Sequence, residues 1–217
     1  MHLTIKANIK VYPPQEDSWF LLDVLTEVLT SPEYEKRTQV VLCELGIGTG
    51  YISLNLAQRF PNTRTIGIDI SFEAAQFAHE NLNRCLPRTH FEIICTNILD
   101  PFVFENFSPD IIFFNPPYLL TSLTEFQRQG PLIRSWAGGP GGITVIQQFL
   151  AGLSQFTFGR AFFLTSSLNE NREIEAQFEN QFRLNRIASR IAGNEELICY
   201  EVTIKDIQLS EFIEKVY

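Results

Sequence analysis

The chain of 217 residues lacks several features that would assign it to a common class. It has no continuous apolar run of about 18 residues, as a membrane-spanning helix requires, and residues 1–14 do not resemble a signal peptide. Its four cysteines lie far apart without a CxxC pair, and its three histidines form no cluster with them. The sequence therefore predicts no metal site. Reduced thiols indicate a cytoplasmic protein, with the nucleus as a second compartment.

Positive charge is also scarce. Lys and Arg number 17 against 25 Asp and Glu, so the net charge is -8 and the chain as a whole repels a phosphate backbone. No cluster of Lys and Arg compensates for this, which argues against a nucleic-acid partner. The length and the 45% hydrophobic content suit one domain, residues 1–217, with a full core.

Short apolar runs alternate with amphipathic segments along most of the chain. Predicted strands cover residues 40–45, 65–70, 91–96, 110–115, 160–165, 184–191 and 197–204. Predicted helices cover residues 17–29, 51–60, 72–83, 143–156 and 170–182, and residues 119–142 are rich in turns. This alternation indicates an α/β fold with βαβ units. The last two strands, which no full helix separates, indicate an antiparallel hairpin at one sheet edge.

A glycine-rich turn follows the first predicted strand. Residues 44–50 read ELGIGTG, and Tyr51 stands where a dinucleotide fingerprint needs its third glycine. The motif instead suits S-adenosylmethionine, because the glycines admit its methionine part and Glu44 can meet its ammonium group. Asp69 ends the second strand, where it can accept hydrogen bonds from ribose hydroxyls, and Asn97 follows the third strand near the adenine. The alternative is a plain tight turn, with Asp69 capping the next helix.

The fourth predicted strand leads directly into Asn115, Pro116, Pro117 and Tyr118. Asn115 offers a side-chain carbonyl and Pro116 a main-chain carbonyl, and two converging acceptors suit a planar NH2 group. These carbonyl dipoles would stabilise the charge that develops on nitrogen during methyl transfer, while Tyr118 packs against the flat group. The alternative is a simple turn, since Asn and Pro both favour turns.

ExGxGxG followed by NPPY resembles the amino-methyltransferases of the class I fold, which include adenine-N6 DNA methyltransferases and HemK-type protein glutamine methyltransferases. VYPPQEDSWFLLDVL, SWAGGPGG and RIAGNEELICYEVTI resemble the short eukaryotic and archaeal HemK-like branch, which methylates the glutamine of the GGQ loop in class I peptide release factors. The resemblance extends from about residue 11 to residue 204. It implies a Rossmann-like, seven-stranded, mostly parallel sheet in the order 3-2-1-4-5-7-6, with helices on both faces.

The same resemblance implies a set of site residues and an internal division of the domain. About residues 1–36 form a segment and helix that close over the cofactor, 37–204 form the core, and 205–217 form an extra tail. Ser18 stands where the family usually has Thr, and Asn97 where it usually has Asp. The catalytic positions are Asn115, Pro116, Pro117 and Tyr118. The cofactor positions are Tyr12, Asp17, Ser18, Glu44, Gly46, Gly48, Gly50, Asp69, Ile70, Asn97, Ile98 and Asn115.

The resemblance also implies a heterodimer. Eukaryotic members need a small zinc-binding activator subunit, which adds a strand beside the third strand, here residues 91–96 (FEIICT). An apolar open edge is a site for such pairing, unless the chain's own termini cover it.

Three other functions remain open from the sequence. Adenine in DNA or RNA presents the same amino group, another protein could be the N-methylation substrate, and a non-catalytic scaffold could keep the fold. The net charge of -8 argues against the first, and the intact NPPY against the last.

Overall fold

The computed structural model describes residues 11–97, 108–127, 135–153 and 158–205. Within these ranges the main sheet consists of β1 Val40–Leu45, β2 Thr63–Asp69, β3 Phe91–Cys95, β4 Ile111–Phe114, β5 Arg160–Ser166, β6 Phe182–Ala192 and β7 Glu195–Ile204. The α-helices are α1 Glu16–Leu29, α2 Pro32–Glu35, α3 Tyr51–Arg59, α4 Phe72–Cys85, α5 Leu123–Phe126, α6 Thr144–Leu153 and α7 Asn171–Phe178.

The sheet has the order 3-2-1-4-5-7-6, counted on these seven strands. β1 runs parallel to both β2 and β4, and β7 is antiparallel to its neighbours β5 and β6. The α/β class, the strand order and the edge hairpin are therefore confirmed. One detail was not expected, because two short strands, Leu119–Leu120 and Ala137–Gly139, pair parallel outside the main sheet.

The centre of the sheet is covered on both faces. All four residues of β4 are buried, and the ring of Phe114 meets that of Phe149 on α6 edge to face, with centroids 5.5 Å apart. Each such side chain contributes about 1.5–3 kcal/mol through burial. The apolar half of IIFFNPPY thus anchors β4 in the core and fixes the point where the strand ends.

Helix α1 packs near the carboxyl ends of the strands. Its apolar face, including Phe20 and Leu25, is buried, and it contacts α3 and the β6–β7 hairpin. Asp23 on its outer side pairs with Arg190 of β6 at 2.7 Å. The packing of this apolar face holds the first turn of α1, with Asp17, close to the end of β4. Within the described parts of the chain, no helix has both the length and the apolarity to cross a bilayer.

Candidate active site

A cavity of about 1250 Å³ lies at the carboxyl ends of β1, β2 and β4. The crevice at this edge is where open α/β sheets bind ligands. Of the residues expected to form the site, those that line the cavity are Tyr12, Asp17, Ser18, Glu44, Gly46, Gly48, Asp69, Ile70, Asn97, Asn115, Pro116, Pro117 and Tyr118. Gly50 is not among them, and Ile98 lies outside the described residues.

The glycine-rich turn brings main chain against the cavity. Gly46 has φ +62°, and a Cβ there would lie 2.9 Å from Cε2 of Phe114. Gly48 also has a left-handed φ, +55°, and its N–H donates to Oδ2 of Asp69 at 2.9 Å. Gly50 has another role. It precedes α3, and a Cβ there would lie 2.5 Å from Cδ1 of Leu82, so it allows α3 and α4 to approach closely.

Asp69 connects two turns at the end of β2. Its Oδ2 accepts the hydrogen bond from Gly48, and its Oδ1 accepts one from the main-chain N–H of Ser71 at 2.9 Å. The cap of α4 is Ser71, whose Oγ accepts from the N–H of Ala74 at 3.3 Å. Burial raises the pKa of Asp69, although these backbone hydrogen bonds lower it. Asp69 is thus a buried carboxylate at the cavity wall rather than the helix cap.

Glu44, at the end of β1, is a second buried carboxylate at the cavity wall. It is 4% exposed and accepts hydrogen bonds from the N–H of Ser53 at 3.2 Å and from the Ser53 hydroxyl. Burial raises the pKa of Glu44 to about 8, and the two hydrogen bonds from Ser53 only partly offset this. A buried carboxylate is costly without a counter-charge, so the site favours a ligand that brings a cation.

Among the described residues that line the cavity, the ionisable side chains are acidic. No Lys, Arg or His lies among the described residues that line it. The carboxylates that line it are Glu16, Asp17, Glu44, Asp69, Glu73 and Glu195. S-adenosylmethionine carries a sulfonium and an ammonium, and its ribose offers two hydroxyl donors. These carboxylates can accept hydrogen bonds from the cofactor's donors and offset its positive charges, so the lining fits this cofactor. The same negative charge disfavours a ligand rich in phosphate.

Asp17 joins the N-terminal segment to the end of β4. Its Oδ2 accepts from the hydroxyl of Tyr12 and from Nδ2 of Asn115, both at 3.1 Å. Its Oδ1 accepts from the main-chain N–H of Ser18 at 2.6 Å and from the Ser18 hydroxyl at 3.2 Å. Because a carboxylate only accepts, this contact fixes which end of the Asn115 amide faces it.

The other end of that amide is a buried acceptor. Oδ1 of Asn115 is buried, and no hydrogen-bond donor among the described residues reaches it. Leaving a buried carbonyl unpaired costs about 1–3 kcal/mol. Asn115 thus lines the cavity with one amide acceptor that no described donor uses.

The remainder of NPPY is rigid and apolar. Pro116 is buried, and Tyr118 is 8% exposed. Burial raises the pKa of Tyr118, and the nearby carboxylates of Asp17 and Glu195 raise it further. The phenol is consequently protonated at neutral pH.

Other lining residues were not identified as site residues from the sequence. They include Trp19, Phe126, Trp136, Gln148 and Glu195. Trp136 lies in the SWAGGPGG segment, so the resemblance of that segment was the available signal. Glu195 begins β7 and lies in the RIAGNEELICYEVTI segment, whose resemblance was again the available signal, because the hairpin reaches the cavity only through the fold of the sheet.

Comparisons with known proteins show which family the chain resembles. The family model of the methyltransferase small domain matches residues 15–134. A relative from Methanocaldococcus jannaschii, provisionally named protein N5-glutamine methyltransferase, is 31% identical over 79% of this chain and 80% of its own length. Methyltransferase HEMK2 of Homo sapiens is 31% identical over 80% of this chain and 79% of its own. The eRF1 methyltransferase catalytic subunit mtq2 of Schizosaccharomyces pombe is 28% identical over 90% of both chains.

A solved structure gives the same fold independently of sequence. The methyltransferase domain of METTL16 superposes with a TM-score of 0.69 at 10% identity, over 94% of this chain and 89% of that domain. At this identity the likeness concerns the fold. The family match, together with relatives that are 31% identical over about four fifths of the chain, places the chain in the methyltransferase small-domain family, among the S-adenosylmethionine-dependent HemK-like protein glutamine methyltransferases.

Proposed function

We propose that the chain transfers the methyl group of S-adenosylmethionine to the side-chain amide nitrogen of the glutamine in the GGQ motif of a class I peptide release factor. The observation that carries the proposal is the buried, unpartnered Oδ1 of Asn115 beside a cavity lined by carboxylates. The relatives named for protein glutamine and for eRF1 support the choice of substrate. Peptide release takes place in the cytoplasm, which is the proposed compartment.

The residues of NPPY hold the amide to be methylated. Oδ1 of Asn115 and the main-chain carbonyl of Pro116 each accept one N–H of the substrate NH2. S-adenosylmethionine, when bound, supplies a methyl group on a positively charged sulfur. The amide nitrogen would take this methyl group as its bond to sulfur is lost, and both carbonyl dipoles would stabilise the positive charge that develops on the nitrogen more than they stabilise the ground state. The nitrogen then releases one proton to solvent. Holding the two reactants in place supplies much of the remaining rate increase.

The cofactor would be held by the turns described above. Glu44 would pair with its ammonium group, Asp69 with its ribose hydroxyls, and Ile70 and Asn97 would border the adenine. The glycine turn would lie against its methionine part, and Tyr12, Asp17 and Ser18 would cover it from the N-terminal side. Residues 1–217 would thus form one domain, with about residues 1–36 as cover, 37–204 as core and 205–217 as tail.

A second subunit is part of the proposal. Among the described residues, β3 pairs only with β2, so its other edge is open. Within this strand, Ile93 is half-buried and Cys95 is exposed. The N–H of Thr96 donates to the carbonyl of Asp69 after β2 at 3.0 Å. Because alternate residues of a strand face the same neighbour, the N–H groups of Ile93 and Cys95 face the open edge. We propose that a small zinc-binding activator adds its strand here. Deuterium exchange should show these two amides becoming protected when the activator binds.

A methyl-transfer assay tests the function. Labelled S-adenosylmethionine is offered with a release factor, with the same factor whose GGQ glutamine is replaced by alanine, and with an adenine-containing oligonucleotide, each with and without the activator. Label is expected on the first substrate and on neither of the others. Label on the oligonucleotide would establish a nucleic-acid methyltransferase instead, and equal label on both forms of the factor would exclude the GGQ glutamine.

A further inference from the structure

We infer that Asn169 is a positioning residue for methyl transfer, because it holds the main-chain carbonyl of Tyr118 and so fixes the far end of NPPY. Asn169 follows β5 and is 51 positions from Tyr118 in sequence. The catalytic part of this inference rests on the proposed function. The structural part, the restraint of the motif, does not.

Every polar atom of the Asn169 side chain is engaged. Nδ2 donates to the carbonyl of Tyr118 at 2.7 Å, while Oδ1 accepts from the N–H of Ser166 at 2.8 Å and from the hydroxyl of Thr165 at 2.9 Å. The amide can take only this orientation, because the Ser166 N–H only donates and the Tyr118 carbonyl only accepts. The side chain is nearly buried, at 9% exposure of the residue. The Asn169 side chain therefore links the end of β5 to the main chain of Tyr118.

Two glycines of SWAGGPGG leave room for this contact. A Cβ on Gly142 would lie 1.9 Å from Nδ2 of Asn169 and 2.5 Å from the carbonyl oxygen of Tyr118, and its φ of +69° also favours glycine. A Cβ on Gly138 would lie 2.8 Å from Cα of Tyr118. The main chain of Tyr118 is thus enclosed by these glycines and by Asn169. This enclosure gives the glycine-rich loop a structural role at the site.

The restraint matters because of what lies between its two ends. Asn115 is tied to Asp17, Tyr118 is tied to Asn169, and the two prolines between them have fixed φ angles. The carbonyl of Pro116, the second acceptor of the proposed mechanism, therefore has its direction set by both ties. Misplacing a reacting group by about 1 Å can lower a rate about 100-fold.

Asn169→Asp and Asn171→Asp form a matched pair of variants. Asn169→Asp keeps an acceptor for Ser166 and Thr165 but turns an oxygen towards the Tyr118 carbonyl. Asn171 serves the same turn. Its Nδ2 donates to the Ser166 carbonyl at 2.8 Å, and its Oδ1 lies 2.8 Å from the Thr165 hydroxyl, whose single proton is shared between Asn171 and Asn169. Neither contact of Asn171 involves Tyr118. Its Asp variant therefore reports the loss of one local hydrogen bond away from NPPY.

Kinetics on the full chain give the first readout. Asn169→Asp should lower kcat about 10- to 100-fold while the KM for S-adenosylmethionine changes less than about threefold, and Asn171→Asp should keep kcat near that of the wild type. A loss of kcat that is equal in both variants, or absent in both, would overturn the inference.

Deuterium exchange gives a second readout that needs no substrate. The amides of Tyr118, Leu119 and Leu120 should exchange faster in Asn169→Asp than in the wild type or in Asn171→Asp. If the wild type transfers no methyl group to the release factor, the proposed function fails while this measurement still decides the restraint. Unchanged exchange of these three amides in Asn169→Asp would refute the restraint of NPPY by Asn169.

Discussion

Nδ2 of Asn115 donates to Oδ2 of Asp17 over 3.1 Å, and the two residues are 98 positions apart in the chain. Asn115 directly follows a buried strand at the centre of the sheet, whereas Asp17 lies in the first turn of α1. The contact orients the Asn115 amide, so that its nitrogen faces Asp17 and its oxygen is left for the substrate. Docking of the N-terminal segment and orientation of the proposed catalytic acceptor are therefore parts of one arrangement.

Asp17→Asn should reverse that orientation. The N–H of Ser18 donates to Oδ1 of Asp17 at 2.6 Å, so the oxygen of an asparagine must remain there and its NH2 must take the place of Oδ2. That NH2 would face Nδ2 of Asn115, and the Asn115 amide would turn its oxygen towards it. The substrate then loses its acceptor, and kcat should fall about 10- to 100-fold in the methyl-transfer assay.

Asp23→Asn is the control on the same helix. Asp23 is mostly exposed and pairs with Arg190, away from NPPY, and exposed pairs contribute little to stability. Its variant should retain the activity of the wild type. The proposed orientation by Asp17 is wrong if Asp17→Asn is as active as Asp23→Asn.

Asn115→Ala should separate catalysis from cofactor binding. The substitution removes the side-chain carbonyl that stabilises positive charge on nitrogen, and loss of one such preorganised dipole costs about 10²- to 10³-fold in kcat. The Kd for S-adenosylmethionine, measured by calorimetry, should change much less, because the carboxylates remain. Turnover near that of the wild type would show that the two-acceptor mechanism is incorrect.

Glu44 should make cofactor affinity depend on pH. Burial raises the pKa of Glu44 to about 8 from an ordinary value of 4.5, so the free protein holds a proton that an ammonium ligand must displace. The stabilisation that this proton gives the free fold is complete below about pH 4.5 and is lost as the pH rises to about 8. Affinity for S-adenosylmethionine should therefore rise between about pH 6 and about pH 7.5, by up to tenfold per pH unit.

Glu44→Gln isolates this effect. Asp69 is a second buried carboxylate at the site, and its pKa is also raised by burial, so it contributes in the same direction. The variant should bind more weakly at about pH 7.5, and its affinity should vary less with pH than that of the wild type. An identical pH profile in both proteins would assign the titration to Asp69 or to the ligand.

Local patterns were sufficient to predict the strands and the edge of the sheet at which the two motifs lie, whereas the strand order came from the family resemblance. VVLCEL and IIFF are short, nearly continuous apolar runs typical of strands covered on both faces, and in a parallel sheet the motifs that follow them meet at one edge. The contacts to Asp17 and Asn169 could not be predicted in the same way. Each joins segments far apart in sequence, and neither a single Asp nor a single Asn carries a pattern that names its partner.

Gly50 shows the same limit within a motif, and it yields a last prediction. From the sequence, all three glycines of GIGTG had the same expected role, but Gly50 faces Leu82 while Gly48 lines the cavity.

An alanine at either position adopts a left-handed conformation, which costs about 1–2 kcal/mol. Gly50→Ala should lose more stability in urea unfolding, because its Cβ would lie 2.5 Å from Leu82 Cδ1, yet bind S-adenosylmethionine nearly as well as the wild type. At Gly48 the nearest atom would be 3.8 Å away, so Gly48→Ala should lose less stability but more affinity, since its methyl group enters the cavity wall. The reverse pattern would mean that Gly50, not Gly48, contacts the cofactor.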